Sequence, residues 1–405
     1  MISKDFETML YLYGSASRGV PYKADNDIDV DRIYKLSREQ EIWHTVYLAL
    51  HNTDGAKKYN GEFLFAYQKN LKRNEFVFNT VEKLEENNIQ CCIMKGMVVA
   101  SLYKEPLCRI SGDTDILIKE DDEKKSMKVL SQIGYTVYER GLNSHHYVAT
   151  HPIGGILEVH VKMYSDPTKD ILFNDRLRYD EELIEMNISG HTVRTFGITD
   201  NAVYLTAHYI KHFISKGVGI RQLMDLLLYI EKYKDSIDWD RYNRIFEELR
   251  YTELIRALYA IGNKYFGFSF DVSNDLYIEQ ILEDTEKGGV FGQNNNDVDK
   301  FYDAFTKCRT TMEEKEYQKY MYKKKNASFI RRIFPTKTTM QKNGYEVKNN
   351  FELILGYFKR WYDISVAILL KKRNVKSMVK YEVTDGSNNE KIQKRLELMK
   401  DLNII

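Results

Sequence analysis

A chain of 405 residues, 43% hydrophobic and 29% charged, carries enough apolar material for two or three packed units. Lys and Arg number 60 against 59 Asp and Glu, a formal net charge of +1, so no global field points to a nucleic acid or a membrane surface. Cys91, Cys92, Cys108 and Cys308 lack metal-ligand spacing, no run reaches 18 apolar residues and the start has no signal-peptide pattern; the expectation is a reduced, cytoplasmic protein without membrane insertion.

The first 15 residues read as a helix or a short strand. Ile33, Leu36, Ile42, Val46 and Leu50 recur at helical spacing and predict a helix over 31–50. Residues 61–88 read as one long helix or two. IQCCIM (89–94) is a compact apolar run, the pattern of a buried strand, and GMVVASLYK after it reads as a helix. In GDTDILIK (112–119), Ile116 and Ile118 share one face of a strand, with Asp113, Asp115 and Leu117 on the other. DDEKKSMKVLSQIGY predicts an amphipathic helix with an acidic first turn, closed at Gly134. YTVYER, HHYVATHP and GGILEVHVKM predict three strands, and EMNISGHTVRTF a hairpin turning at Ser189–Gly190. From Asp200 the pattern is helical, interrupted by a loop over 287–300, and from EVTDGSNNEK the last 25 residues read as a turn and a polar terminal helix. The predicted organisation is an N-terminal helical region (1–74), an α/β core (75–198) and a C-terminal helical region (199–405).

Two phrases combine glycine, arginine and Asp-x-Asp: LYGSASRGVPYKADNDIDV and MKGMVVASLYKEPLCRISGDTDILI. Carboxylates at i and i+2 on a strand point to one face and reach the same divalent ion. Nucleotidyl transfer also needs a third carboxylate from a neighbouring strand, and a glycine turn that lets phosphate approach backbone amides. A helix N-terminus at that turn adds favourable polarity. The first phrase fails this test: only 13 residues precede Gly14, helix follows Asp29, and Glu62 is the sole carboxylate near a weak following strand. It reads as a polar turn in which Asp27 or Asp29 caps the next helix. In the second phrase Lys95–Gly96 sits at a strand-to-helix turn, and Arg109 and Ser111–Gly112 precede Asp113 and Asp115. GGILEVHV then brings Glu158 and His160 to one face, with Glu158 the natural third carboxylate.

Each candidate has a plainer alternative. Lys95 pairs with a phosphate or faces solvent; Arg109 clamps a phosphate or pins the loop before Asp113. His160 orients a ligand or Asp113, with proton shuttling the alternative. His145, His146 and His151 have poor spacing for a tetrahedral site and no cysteine partner, so zinc is not expected. His208 and His212 are four apart on a helix, as are Arg221 and Asp225, read as a self-satisfying ion pair; together they form a polar seam or a roof over the cleft. The basic run Lys323–Lys325 with Arg331 and Arg332 reads as a solvated face, and nucleic acid is not an expected partner.

From Lys95 to His160 the chain resembles the uncharacterised branch of the DNA polymerase beta-like nucleotidyltransferase superfamily, bacterial proteins found beside polysaccharide and peptide biosynthesis genes. The shared pattern is Lys95–Gly96, Arg109, Ser111–Gly112, Asp113 and Asp115, then Gly134–Tyr135, then Glu158 and His160. The resemblance continues through His208, His212, Arg221 and Asp225, and to Phe334, Pro335, Met340 and Tyr345. Lys-Gly stands where better-known nucleotidyltransferases carry Gly-Ser. The resemblance implies an α+β fold, a polymerase beta-like mixed sheet with flanking helices plus a helical domain. It also implies a metal-dependent transferase that moves a nucleoside monophosphate from an NTP to an acceptor. Asp113, Asp115 and Glu158 would hold Mg²⁺ or Mn²⁺, His160 would assist, and Lys95, Gly96, Arg109, Ser111 and Gly112 would meet the nucleotide. The acceptor, whether small molecule, surface-polymer precursor or protein, is not legible; the alternative is a non-catalytic nucleotide-binding or scaffold protein on the same fold. Clustered carboxylates repel when no metal is bound, so loss of Asp115 is expected to cost no stability.

Overall fold

The computed structural model describes residues 1–21, 28–140, 144–162, 183–215, 217–272, 277–288, 349–369 and 390–405, with isolated positions between 301 and 347. Helix α1 (Lys4–Arg18) starts at Ser3, whose hydroxyl accepts the Phe6 amide, and stops at Gly19, which takes the left-handed φ of 70°. The helix expected over 31–50 is two helices, α2 (Val30–Glu39) and α3 (Trp43–Leu50), broken where Glu41 turns to φ 55°. Ile33, Leu36, Ile42, Val46 and Leu50 are all buried despite the break. Residues 61–88 resolve as one helix, α4 (Asn60–Glu86).

Then the sheet begins: β1 (Cys92–Met94), the short α5 (Gly96–Ala100), β2 (Asp113–Leu117), α6 (Glu123–Gln132), β3 (Thr136–Tyr138), β4 (His146–His151) and β5 (Gly155–His160). The strand order is β1-β2-β5-β4-β3. Only β2 and β5 run parallel; the other three pairings are antiparallel. A hairpin, β6 (Leu183–Ile188) and β7 (His191–Phe196), packs its second strand beside β1. Its turn residues, Ser189 (φ 53°) and Gly190 (φ 91°), are both left-handed, which matches the twist of a two-residue hairpin. The remaining described helices are α7 (Ile198–Phe213), α8 (Ile220–Tyr233), α9 (Trp239–Glu248), α10 (Thr252–Phe266), α11 (Ile278–Gly288), α12 (Asn350–Leu369) and α13 (Glu390–Asp401). The fold is α+β, a central polymerase beta-like mixed sheet flanked by helices with further helical segments.

Period-2 alternation splits the sheet between two cores. Ile93, Ile116, Ile118, Leu157 and Val159 face α4 and α6, where Val77, Val81, Leu84, Val129 and Leu130 meet them. Cys92, Met94 and Leu117 face the other way, into a larger helical core. That core joins Phe6 and Leu10 of α1 to Val203 of α7, Met224 of α8 and Leu258 of α10, so helices from both ends of the chain share it. Each such fully buried side chain contributes roughly 1.5–3 kcal/mol. Helix α4 runs through position 74/75, continuous from the helical core to the sheet. Cys91, Cys92 and Cys108 are buried free thiols; Cys308 lies outside the described residues. Among the described residues no helix is long and apolar enough to cross a membrane.

Candidate functional site

The site forms on the face of the sheet turned toward α7 and α8. On the central parallel pair, Asp115 is the register partner of Glu158, and Leu117 of His160. Side chains at partnered positions project to the same face, so Asp113, Asp115, Glu158 and His160 share one side. Donor atoms of Asp115, Glu158 and His160 all lie within 4.8 Å of one another. Asp113, at the open start of β2, is half-buried and receives the Ser111 hydroxyl at 3.4 Å.

Asp115 is 3% exposed and paired on both oxygens. Lys95 Nζ lies 3.1 Å from Oδ2, and His160 Nε2 donates to Oδ1 at 3.0 Å. Burial works against its charge, but Lys95 and then His160 outweigh it and hold the carboxyl well below the usual range. Glu158 moves the opposite way: burial, then the negative charges of Asp115 and Asp113, raise it. The two neighbouring carboxylates are thus shifted in opposite directions, Asp115 down and Glu158 up.

Lys95 takes φ 41°, ψ −122°, a backbone conformation that costs a non-glycine residue of order 1–3 kcal/mol, and Gly96 follows at φ 28°. The turn aims the ammonium back across the sheet at Asp115. The helix after it spans only five residues, too short for the N-terminal polarity anticipated from the sequence.

The loop entering β2 is held from outside. Its carbonyls are taken in series: Leu107 by Asn70 (2.8 Å), Cys108 by Thr45 (3.1 Å), Ile110 by Arg221 (2.8 Å) and Ser111 by Arg73. Arg73 also donates to the Thr114 hydroxyl at 2.8 Å. These side chains come from α3, α4 and α8, so three helices fix the path of one loop and with it the position of Asp113. The Arg109 guanidinium grips Asp225 at both oxygens, with Nε at 3.1 Å, and both groups are buried. Tyr103 donates to the same carboxylate at 2.8 Å. Opposition by burial is overcome by Asp225, and Arg109 is raised above its ordinary value.

This corrects the expected Arg221–Asp225 pair. Although four apart on α8, Asp225 turns to Arg109, and Arg221 pairs with Glu41 at 3.0 Å. A buried carboxylate takes the bidentate guanidinium that meets it face on. A cleft of about 40 Å³ opens between these groups, lined by Lys95, Gly96, Arg109, Ser111, Asp113 and His208. Its volume admits an ion and a few waters, at about 10–15 Å³ each. His208 and His212 stack edge-on, 4.5 Å apart, and His208 is held well below its ordinary value by burial and then by Lys95.

The histidines regroup. His151 stacks on Phe76 at 4.0 Å and accepts the Ile153 and Gly154 amides, away from the other two. His145 and His146 instead meet His160 from the adjacent strand, with one ring nitrogen of each within 4.8 Å of the others. Sequence spacing missed this because the third histidine arrives through the β4–β5 register, where His146 partners His160.

Arg73, Asn70, Tyr103 and Tyr204 were missed as well. Asn70 and Arg73 sit on the buried stripe of α4 with Val77, Val81 and Leu84, and a polar residue on such a stripe was the available signal. Tyr204, buried on α7, is raised by burial and then by Asp115. In the first phrase, Asp29 caps α2 by accepting the Arg32 amide at 3.0 Å, and Gly14 lies inside α1 rather than at a turn. Asp27, Lys323–Lys325, Arg331 and Arg332 lie outside the described residues.

The family model of uncharacterised nucleotidyltransferases matches residues 26–267, well over half of the sequence. The chain belongs to this family. Carboxylates on adjoining strands, a candidate metal-binding cluster and membership of the nucleotidyltransferases agree with nucleotide-transfer chemistry in general. None of the curated proteins matches. Among solved structures, the antibiotic-resistance factor ANT(2'')-Ia is 12% identical over 45% of this chain and 91% of its own, with a TM-score of 0.32. The lincosamide antibiotic adenylyltransferase LnuA, lincomycin-bound, is 14% identical over 38% and 93%, with a TM-score of 0.28. An antigenic nucleotidyltransferase-like protein from Paracoccidioides brasiliensis is 19% identical over 47% and 93%, with a TM-score of 0.31. At these scores none of the three bears on what this family member acts on.

Proposed function

We propose that the protein is a metal-dependent nucleotidyltransferase of the cytoplasm that moves a nucleoside monophosphate from an NTP to a small-molecule, surface-polymer-precursor or protein acceptor. The observation that carries this reading is the convergence of Asp115, Glu158 and His160 within 4.8 Å, with Asp113 on the same face. The donor set fits Mg²⁺ or Mn²⁺ on Asp113, Asp115 and Glu158, and such ions neutralise phosphate charge and stabilise the departing pyrophosphate. In the reaction an acceptor oxygen or nitrogen forms a bond to the α-phosphorus as the bond to pyrophosphate breaks. Glu158 either completes the metal site or, as the alternative, acts as the base that takes the acceptor's proton, its basicity raised by burial and then by Asp115 and Asp113. His160 orients Asp115 through their shared hydrogen bond. With a cation held by Asp115, Lys95 would be free to pair with a phosphate oxygen, and Gly96, Ser111 and Gly112 would leave room for phosphate beside the backbone. Arg109 acts by holding the loop. The segments 1–74, 75–198 and 199–405 serve as helical frame, catalytic unit and roof.

The test is transfer of labelled nucleotide in cell extract, with pyrophosphate release measured alongside, comparing the intact protein with Asp113→Asn. Label that appears only with the intact protein, and only with a divalent ion, supports the reading and sizes the acceptor. A second reading, a nucleotide-binding scaffold, is favoured by the Lys95–Asp115 ion pair in the metal position and by the small cleft. Calorimetric NTP binding that ignores Mg²⁺, without pyrophosphate release, would select it.

A further inference from the structure

We propose that His145, His146 and His160 form a second, nitrogen-rich metal site beside the carboxylates, which takes a divalent transition-metal ion of the zinc class rather than Mg²⁺. The three rings make a closed triangle, with centroids 4.6, 5.0 and 5.1 Å apart. One nitrogen from each lies within 4.8 Å of the others. Imidazole nitrogens are poor ligands for Mg²⁺ and good ones for zinc, which binds them at about 2.0–2.1 Å.

The second observation is a stranded lone pair. His160 is 6% exposed. Its Nε2 donates to the ionised Asp115, so the proton is on Nε2 and Nδ1 carries the lone pair. Among the described residues that Nδ1 is buried without a hydrogen-bond partner, as is Nδ1 of His145, whose Nε2 lies 3.3 Å from His146 Nδ1. A buried acceptor without a partner is unfavourable, and a metal ion bound there removes that cost. Carboxylate–histidine–metal chains are the usual way such a ring is oriented, with Asp115 as the carboxylate here. The site does not require that the protein transfer nucleotides.

The experiment titrates the metal-free full chain with Co²⁺, read by its visible absorption, and then displaces Co²⁺ with Zn²⁺. The expected result is one equivalent of Co²⁺ with intense low-coordination bands. His145→Asn and His146→Asn should each weaken Zn²⁺ binding at least ~100-fold, the upper end of what loss of even an outer partner costs. His151→Asn should bind as wild type. Melting curves check that the variants fold, and imidazole ¹⁵N shifts of the wild type on Zn²⁺ addition test the same site without substitution. Zinc binding no tighter than Mg²⁺, unshifted imidazoles, or His145→Asn and His146→Asn binding as wild type each overturn the proposal. Asp113→Asn separates the two ideas: it should keep Zn²⁺ and lose Mg²⁺-dependent pyrophosphate release. Zinc binding without any transfer by the wild type would sink only the transferase reading, and transfer without a histidine-bound metal only this one.

Discussion

At the start of α2 the carboxylate of Asp29 accepts one amide, that of Arg32, at an exposed surface. On β2 the carboxylate of Asp115 lies buried between Lys95 and His160, opposite Glu158 on the next strand. Both belong to a phrase with glycine, arginine and Asp-x-Asp. The second is set on a strand with a parallel neighbour, and its loop is gripped by side chains from three helices. An Asp-x-Asp becomes a candidate metal site through what is brought to it, and four substitution experiments can break or sharpen that contrast.

The largest effect is expected for Asp115→Asn. It should reduce metal-dependent transfer by 10³-fold or more, about 4 kcal/mol of barrier. It should also destabilise the fold, by up to about 3 kcal/mol, because Lys95 loses its partner in a largely buried place. That reverses the expectation of repelling carboxylates: the neighbours that decide Asp115 are a lysine and a histidine. Since the folded carboxyl is depressed, wild type's advantage is complete above an unfolded value of about 3.9 and fades as pH falls below it. Urea melts of both proteins from pH 7 to 3 measure it; a constant difference across that range would contradict the pairing.

The arginines come next. Arg109→Ala leaves Asp225 charged and buried with only tyrosine contact, and should cost about 3–5 kcal/mol. Arg18→Ala removes a partly exposed pair with Glu231 and a hydrogen bond to the Phe266 carbonyl, and should cost roughly 1 kcal/mol. Equal losses in denaturant melts would mean that the loop before β2 is not specially held.

The glycines invert the order of importance. A Cβ on Gly14 would stand 2.7 Å from the Phe266 Cα, a backbone atom that cannot yield, so Gly14→Ala should cost about 1–3 kcal/mol. A Cβ on Gly112 meets nothing within 4 Å, so Gly112→Ala should stay within about 0.5 kcal/mol of wild type. Any loss there should appear as a raised KM for the NTP. Thermal melts and steady-state kinetics on the two variants separate a packing glycine from one kept for a ligand.

Asp29→Ala should cost about 1 kcal/mol from the lost cap and leave the transfer rate unchanged. A transfer rate that falls with the fold intact would return the first phrase to contention.

Much of the framework was legible because it is local. Ile116 and Ile118 on one face with Asp115 and Leu117 on the other is a statement about a strand two residues per repeat, and the two cores confirm it. The hairpin at Ser189–Gly190 was readable for the same reason. The break at Glu41 was not, since the apolar spacing continues across it and only the left-handed φ reveals it. Asn70 and Arg73 carried a faint signal, polar letters on an apolar stripe, but nothing local says which carbonyls they hold.

What the sequence by itself determined is the succession of strands and helices from β1 to β7, the faces of β2 and β5, and the placing of Asp113–Asp115 on a strand. Those follow from backbone periodicity within a few residues. Only the tertiary structure decided the partners: Arg109 with Asp225 rather than Arg221, Lys95 on Asp115, and His160 rather than His151 with His145 and His146. A charged or aromatic side chain pairs with whatever the packing of distant elements places within reach. For Arg109 and Asp225 that partner is 116 residues away, a separation at which local periodicity carries no information.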